Sequence, residues 1–237
     1  MKKPFNLKKI SKYLLSLVGY VLLVAADEFF APFAIPLLIA NVYIGLSPLL
    51  SCALFVAAYL LSLSISVTAV AAMSGAVAAI FFLITNKIGK KPNFSLALIT
   101  AVALAPYVLV RDCHNLTVRL ILAGVCVPLV FVFVSAAKVF LVKGLKYRLS
   151  TDEIVSAAAL FSVASYGAIN LFSAPVYECF AVAAILISGM IMRRSCCSVT
   201  AIISALPLFF NTENPAFFAP LALYSLVTTC FSPRSKL

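Results

Sequence analysis

Residues able to do chemistry are scarce in this chain. His114 is the one histidine in 237 residues, and it follows directly on Asp112 and Cys113. A soft metal would accept those donor types, but three consecutive loop residues rarely converge on one ion. The seven cysteines are Cys52, Cys113, Cys126, Cys179, Cys196, Cys197 and Cys230, and no two form a Cys-x-x-Cys pair. A zinc site of ordinary spacing is therefore absent, and no metal or cofactor is expected. No apolar run carries paired carboxylates or a nucleophile–base pair, and neither Gly-x-Ser-x-Gly nor His-Glu-x-x-His occurs. Acid–base and covalent catalysis both need such convergent groups. The chain reads as non-enzymatic.

Other singular features have competing readings. Cys113 and Cys179 both fall near the expected outer face, which makes them candidates for a disulfide. Lys138 sits about one turn from the end of an apolar run, where its stem can carry the ammonium out to the headgroups; the alternative is a buried coupling site. Cys196 and Cys197 beside Arg193 and Arg194 suit acylation or are an incidental pair. Ser235-Lys236-Leu237 spells a peroxisomal address, but such addresses serve soluble cargo and a basic inner tail is expected here anyway.

Whatever positions these residues must be a membrane-embedded frame. Hydrophobic residues make up 64% of the chain, charged residues 11%, and the mean hydropathy is +1.15. A water-soluble domain cannot hide that much apolar surface. Runs approaching 20 apolar residues between short polar loops imply an all-α polytopic transmembrane bundle, with the lipid bilayer as its first partner. The net charge of +11 lies in short clusters beside these runs, without a basic domain, and so gives no reason to expect nucleic acid.

Five N-terminal lysines precede the first run, 13–26, which fits an uncleaved span or a signal peptide cut after Val24-x-Ala26. The second run, 29–44, contains Pro32 and Pro36 and should be broken or tilted. Residues 48–86 divide into a hairpin near 62–66, and Ala71, Gly75 and Ala79 give the second arm a small-residue row for close packing. Runs 94–110, with Pro106, and 116–142, with Pro128, follow. After the polar stretch 143–153 come 154–172, 176–192, 196–210 and 216–231.

These runs predict about ten spans with both termini cytoplasmic, forming a single membrane domain 1–237. Two halves, 1–142 and 150–237, meet at the basic loop 143–153. Sixteen of the 18 Lys and Arg then lie inside, leaving Arg111 and Arg119 outside. Within the loop, Ser150 or Thr151 followed by Asp152 and Glu153 reads as a helix N-cap and acidic first turn.

An internal echo links the two ends of the chain. Phe29-Phe30-Ala31-Pro32 recurs as Phe217-Phe218-Ala219-Pro220, each after an acidic residue of the outer side. Pro-broken segments in corresponding places point to binding sites in carriers. On this reading Pro32, Pro36 and Pro220 mark kinks facing the interior, with Phe30 and Phe218 packed at the interface between halves.

Leu149-Ser150-Thr151-Asp152-Glu153-Ile154-Val155, following a Lys-rich span end and preceding an apolar run with Gly167, resembles the membrane region of the stage II sporulation protein E family. Ala31-Pro32-Phe33-Ala34-Ile35-Pro36 after the first span is similar to the start of that region. The resemblance implies ten spans in the cytoplasmic membrane of a bacterium. It also implies a scaffolding, localising or signal-receiving role toward a cytoplasmic or membrane protein partner. Family members carry a phosphatase domain beyond this region, and none of its metal-binding aspartates has a counterpart in these residues.

A small-solute carrier is the alternative, supported by the Pro-broken runs and the echo. Carriers need polar residues around a central cavity, and here the candidates are Asn41, Asn170 and scattered Ser and Thr. That scarcity favours the first reading. Reporter fusions after Lys91, Arg148, Arg194 and Lys236 should all report the cytoplasmic side, and fusions near Asn115 and Asn214 the outer side. An outer signal at Arg148 would reverse the arrangement.

Overall fold

Inside hydrocarbon a backbone amide has no water to bond, so an apolar run must satisfy its own N–H and C=O groups, and it coils into a helix. The computed structural model describes residues 7–26, 32–62, 65–88, 92–109, 115–143, 149–191, 194–212, 216 and 218–231. Among these no strand occurs. The helices are α1 (Leu7–Val24), α2 (Ala34–Tyr43), α3 (Pro48–Ser62), α4 (Ile65–Ile88), α5 (Pro92–Ala103) and α6 (Ala105–Leu109). They continue with α7 (Leu116–Lys138), which runs into a π-helical turn Val139–Lys143. Then follow α8 (Thr151–Leu171), α9 (Ala174–Ile191), α10 (Arg194–Thr212) and α11 (Phe218–Phe231).

Among the described residues three stretches are long and apolar enough to cross a membrane: Val67–Ile84, Leu116–Lys143 and Thr151–Leu171. The outward face of α7 is mostly apolar too. On α7 Leu116, Leu120, Ile121, Val125 and Phe131 are exposed, where a helix facing water would present charge. Seven shorter apolar helices complete the set.

Proline decides several helix boundaries. Pro106 is the second residue of α6, and α5 stops three residues before it; the ring lacks an N–H and collides with the carbonyl four residues back. Pro36 is the third residue of α2, in the first turn, where amides have no intrahelical partner. It therefore begins a helix instead of kinking one, which corrects the expectation of a kink there. At about 1.5 Å per residue α2 is about 15 Å long, half a bilayer core. Its residues 34–41 are all buried, and it packs against α1, α3, α4, α5 and α7.

Among the described residues most buried hydrophobic side chains fall into two clusters. One collects residues from Tyr20 to Leu141, with Tyr20, Phe55 and Tyr59 meeting edge to face. The other runs from Ala168 to Leu221 and includes Tyr177 and Leu208. Helix α8 joins them: Leu160 and Val163 pack on the first cluster, while Ala168 and Ile169 belong to the second.

That union depends on a glycine. A Cβ on Gly167 would lie 1.6 Å from the carbonyl oxygen of Leu22, so α8 crosses α1 at backbone contact. One turn later the Asn170 Nδ2 donates to the Ala25 carbonyl at 2.9 Å, satisfying an acceptor just past the end of α1. Gly167→Ala should force the helices apart and cost about 3 kcal/mol or more, beyond ordinary overpacking because the clash is with backbone. Thermal unfolding in detergent will read this, and an unchanged midpoint would show that the contact is dispensable.

Candidate functional site

The central basic loop is anchored at both ends. Ser150 is the N-cap of α8: its side chain accepts from the Glu153 amide at 3.3 Å, and a Glu153 carboxylate oxygen accepts from the Ser150 amide at 3.0 Å. This reciprocal capping box selects Ser150 over Thr151 as the cap. The other Glu153 oxygen pairs with the Nζ of Lys143, the last residue of the π-helical turn. One carboxylate thus caps α8 and ties it to the end of α7. Lys138, one turn earlier, is exposed and holds its Nζ 5.8 Å from the Tyr43 ring centroid, a cation–π contact with the end of α2.

Beneath this anchor lies a half-open cavity of about 140 Å³ between α1, α2, the π-helical turn and α8. Its walls include Ser16, Gly19, Asn41, Phe140 and Phe161. π-Helical turns insert one residue into a helix and recur at functional sites. Asn41, 1% exposed, donates from Nδ2 to the Tyr20 hydroxyl at 2.9 Å, while its Oδ1 has no hydrogen-bond partner among the described residues. The hydroxyls of Ser16, Thr100 and Thr228 instead bond carbonyls four residues back in their own helices.

Arg119, which the charge pattern assigns to the outer side, is buried in the first turns of α7. Its Nη1 donates to the Val108 carbonyl at 2.7 Å, filling an acceptor at the C-terminus of α6. A helix end takes up the cation.

The residues singled out by sequence are dispersed. Pro32 is buried just before α2 and Pro36 within it. Phe218 is half-buried against the second cluster, but Pro220, in the first turn of α11, is exposed. The expectation that both echo prolines face the interior is corrected at Pro220. Because α2 lies amid five helices whereas α11 packs on α9 and α10, the two segments occupy different environments. Phe30 and Cys113 lie outside the described residues, and with Cys113 the proposed pairing to Cys179; Cys179 itself is exposed on α9. Ala71 and Gly75 are buried, and the Cys52 thiol donates to the Gly75 carbonyl at 3.3 Å, so the small-residue row packs α4 on α3. Among the described residues no three His, Cys, Asp or Glu side chains gather where they could hold a metal. Sequence reasoning overlooked Tyr20; a lone tyrosine in an apolar run carries no signal until its partner is known.

Comparison with protein-family models, with curated proteins and with solved structures finds no match for this chain.

Tyr20→Phe removes the partner of a buried amide and should destabilise the protein by about 1–3 kcal/mol. The same change in an Asn41→Ala background should cost less. A double-mutant cycle with no coupling between the two positions would reject the bond.

Proposed function

We propose that the chain is a non-enzymatic, multi-pass module of the bacterial cytoplasmic membrane that positions or controls a cytoplasmic or membrane protein partner. Ten crossings with both termini inside remain part of this reading, on the strength of the cation distribution. The observation that carries the role is the anchored loop. Glu153 joins the capping box of α8 to Lys143, so the two ends that bound the basic segment are fixed on packed helices. Such a platform suits recognition, since binding residues tend to sit on loops held by a rigid scaffold. The polar groups beneath it serve helix packing. The resemblance to the sporulation family points the same way, and the surrounding lipid covers the exposed apolar faces.

The carrier reading relied on a repeat, and the unequal surroundings of α2 and α11 take that support away. A photo-crosslinking residue at position 147, in native cells, should yield a discrete protein adduct that Lys146→Glu with Arg148→Glu abolishes. Reconstituted vesicles should show no solute uptake above protein-free vesicles. Adducts to lipid alone, or saturable uptake, would overturn the proposal.

A further inference from the structure

A second site lies in the other half, on the side where α8 ends and α9 begins. A half-open groove of about 590 Å³ runs between α9, α10 and α11, within the range of about 300–1,000 Å³ typical of small-molecule sites. Its walls are mostly apolar, built by Val182, Leu186, Leu208 and Leu221. Three groups break that character: the Glu178 carboxylate, the Cys179 thiol and the Tyr224 phenol.

Glu178 is the exceptional one. It is half-buried in α9 and has no ion-pair partner among the described residues. The groove helices have little to offer it. α9 and α11 contain no Lys or Arg, and the one cation of α10 is Arg194 at its start. Since α10 begins where α9 ends, the start of α10 at Arg194 stands about 20 Å along the bundle from Glu178, at 1.5 Å per residue of α9. A carboxylate in a largely apolar groove calls for a cation, and among the described residues the helices around the groove supply none nearby. The Tyr224 ring adds a second element that favours positive charge, because the face of a phenol attracts ammonium groups.

We propose that this groove binds an amphiphilic ammonium ligand, its cationic head on Glu178 beside Tyr224 and its apolar body along Val182, Leu186, Leu208 and Leu221. The ammonium belongs either to an aminolipid of the bilayer or to a soluble hydrophobic amine. The site is independent of the partner-positioning role, and either can fail without the other.

Cys179 lines the groove and reports its occupancy, while Cys230, exposed on α11 but outside the groove, serves as the internal control. In maltoside micelles under reducing conditions, dodecyltrimethylammonium should slow iodoacetamide labelling of Cys179 relative to Cys230, read by peptide mass spectrometry. An equal amount of a neutral alkyl surfactant should not. Glu178→Gln should weaken the protection by about tenfold, the loss expected for one charge-assisted contact, while Glu178→Asp retains most of it. In vesicles, protection that appears with phosphatidylethanolamine alone assigns the ligand to the lipid. Protection that requires added amine assigns it to a soluble compound. Unchanged Cys230 labelling and melting temperature show that the Gln variant is folded; if it is not, the Asp variant's retained preference for the cationic over the neutral surfactant carries the test. Equal protection by the neutral surfactant, or full protection in a folded Gln variant, overturns the proposal and leaves a groove that takes any alkyl chain.

Discussion

The contact between Gly167 and the Leu22 carbonyl is the constraint on which the arrangement of the two halves depends. Helices whose side chains interdigitate run about 8–10 Å apart, and that spacing leaves room for a Cβ at the crossing. Here there is none, because the added atom would fall 1.6 Å from a backbone oxygen. Between apolar helices in a bilayer the hydrophobic effect gives little net attraction, since lipid is as apolar as the side chains. Close backbone approach supplies dispersion contacts in its place. The Asn170 amide then closes onto the Ala25 carbonyl, so the crossing ends on a directional bond. With α1 fixed against α8, the Tyr20 face of α1 is turned to the first cluster and Leu22 to the second.

Several polar groups in this interior donate to backbone carbonyls, although the Ser74 and Ser204 hydroxyls and the Arg119 Nε have no hydrogen-bond partner among the described residues. Arg119 fills the end of α6, Asn170 the end of α1, and Tyr177 donates to the Ser204 carbonyl at 2.8 Å. Serine and threonine hydroxyls turn back onto their own helices. Most prolines of the described helices stand in a first turn, while Pro128 and Pro207 lie inside α7 and α10. Each proline at a helix start occupies a position whose amide had no intrahelical partner, and the remaining open carbonyls attract the few donors available. Asn41 departs from the pattern, since its amide turns to a phenol and leaves one oxygen unmatched inside the bundle.

Helix existence was legible in the sequence because it is a local property. Runs bounded by charge must coil, and the hairpin break near 62–66 and the acidic start of α8 follow from residues within one turn of each boundary, whereas the run 94–110 reads as one span and divides into α5 and α6. The environment of each helix was not legible. Phe-Phe-Ala-Pro appears twice and lies at or just before a helix start both times, yet Pro32 is buried and Pro220 is exposed. The flanking residues differ, Pro36 in one copy standing where Tyr224 stands in the other, but burial depends on which helices the rest of the chain delivers to that place. The run 29–44 is expected to be broken or tilted at its prolines, and α2 begins only at Ala34. Hydropathy marks how long a run is, and proline in its first third sets where the helix can begin.

The candidate sites show the same division between identity and partnership. Asn41 and Asn170 stand out in the sequence because an amide in an apolar run needs a hydrogen-bond partner. Their partners lie 21 and 145 residues away, and no spacing rule reaches that far. The Ser150–Glu153 box is different: donor and acceptor are three residues apart, and the motif is readable as written. Glu178 falls between these cases. The sequence shows that the helix bearing it has no cation and that α11 has none either, which are local facts. Only the fold adds that these helices enclose a common groove, and that α10 holds its single arginine at the opposite end. A charge becomes informative when the helices packed around it cannot neutralise it, and that condition requires both the composition of each helix and the order in which they assemble.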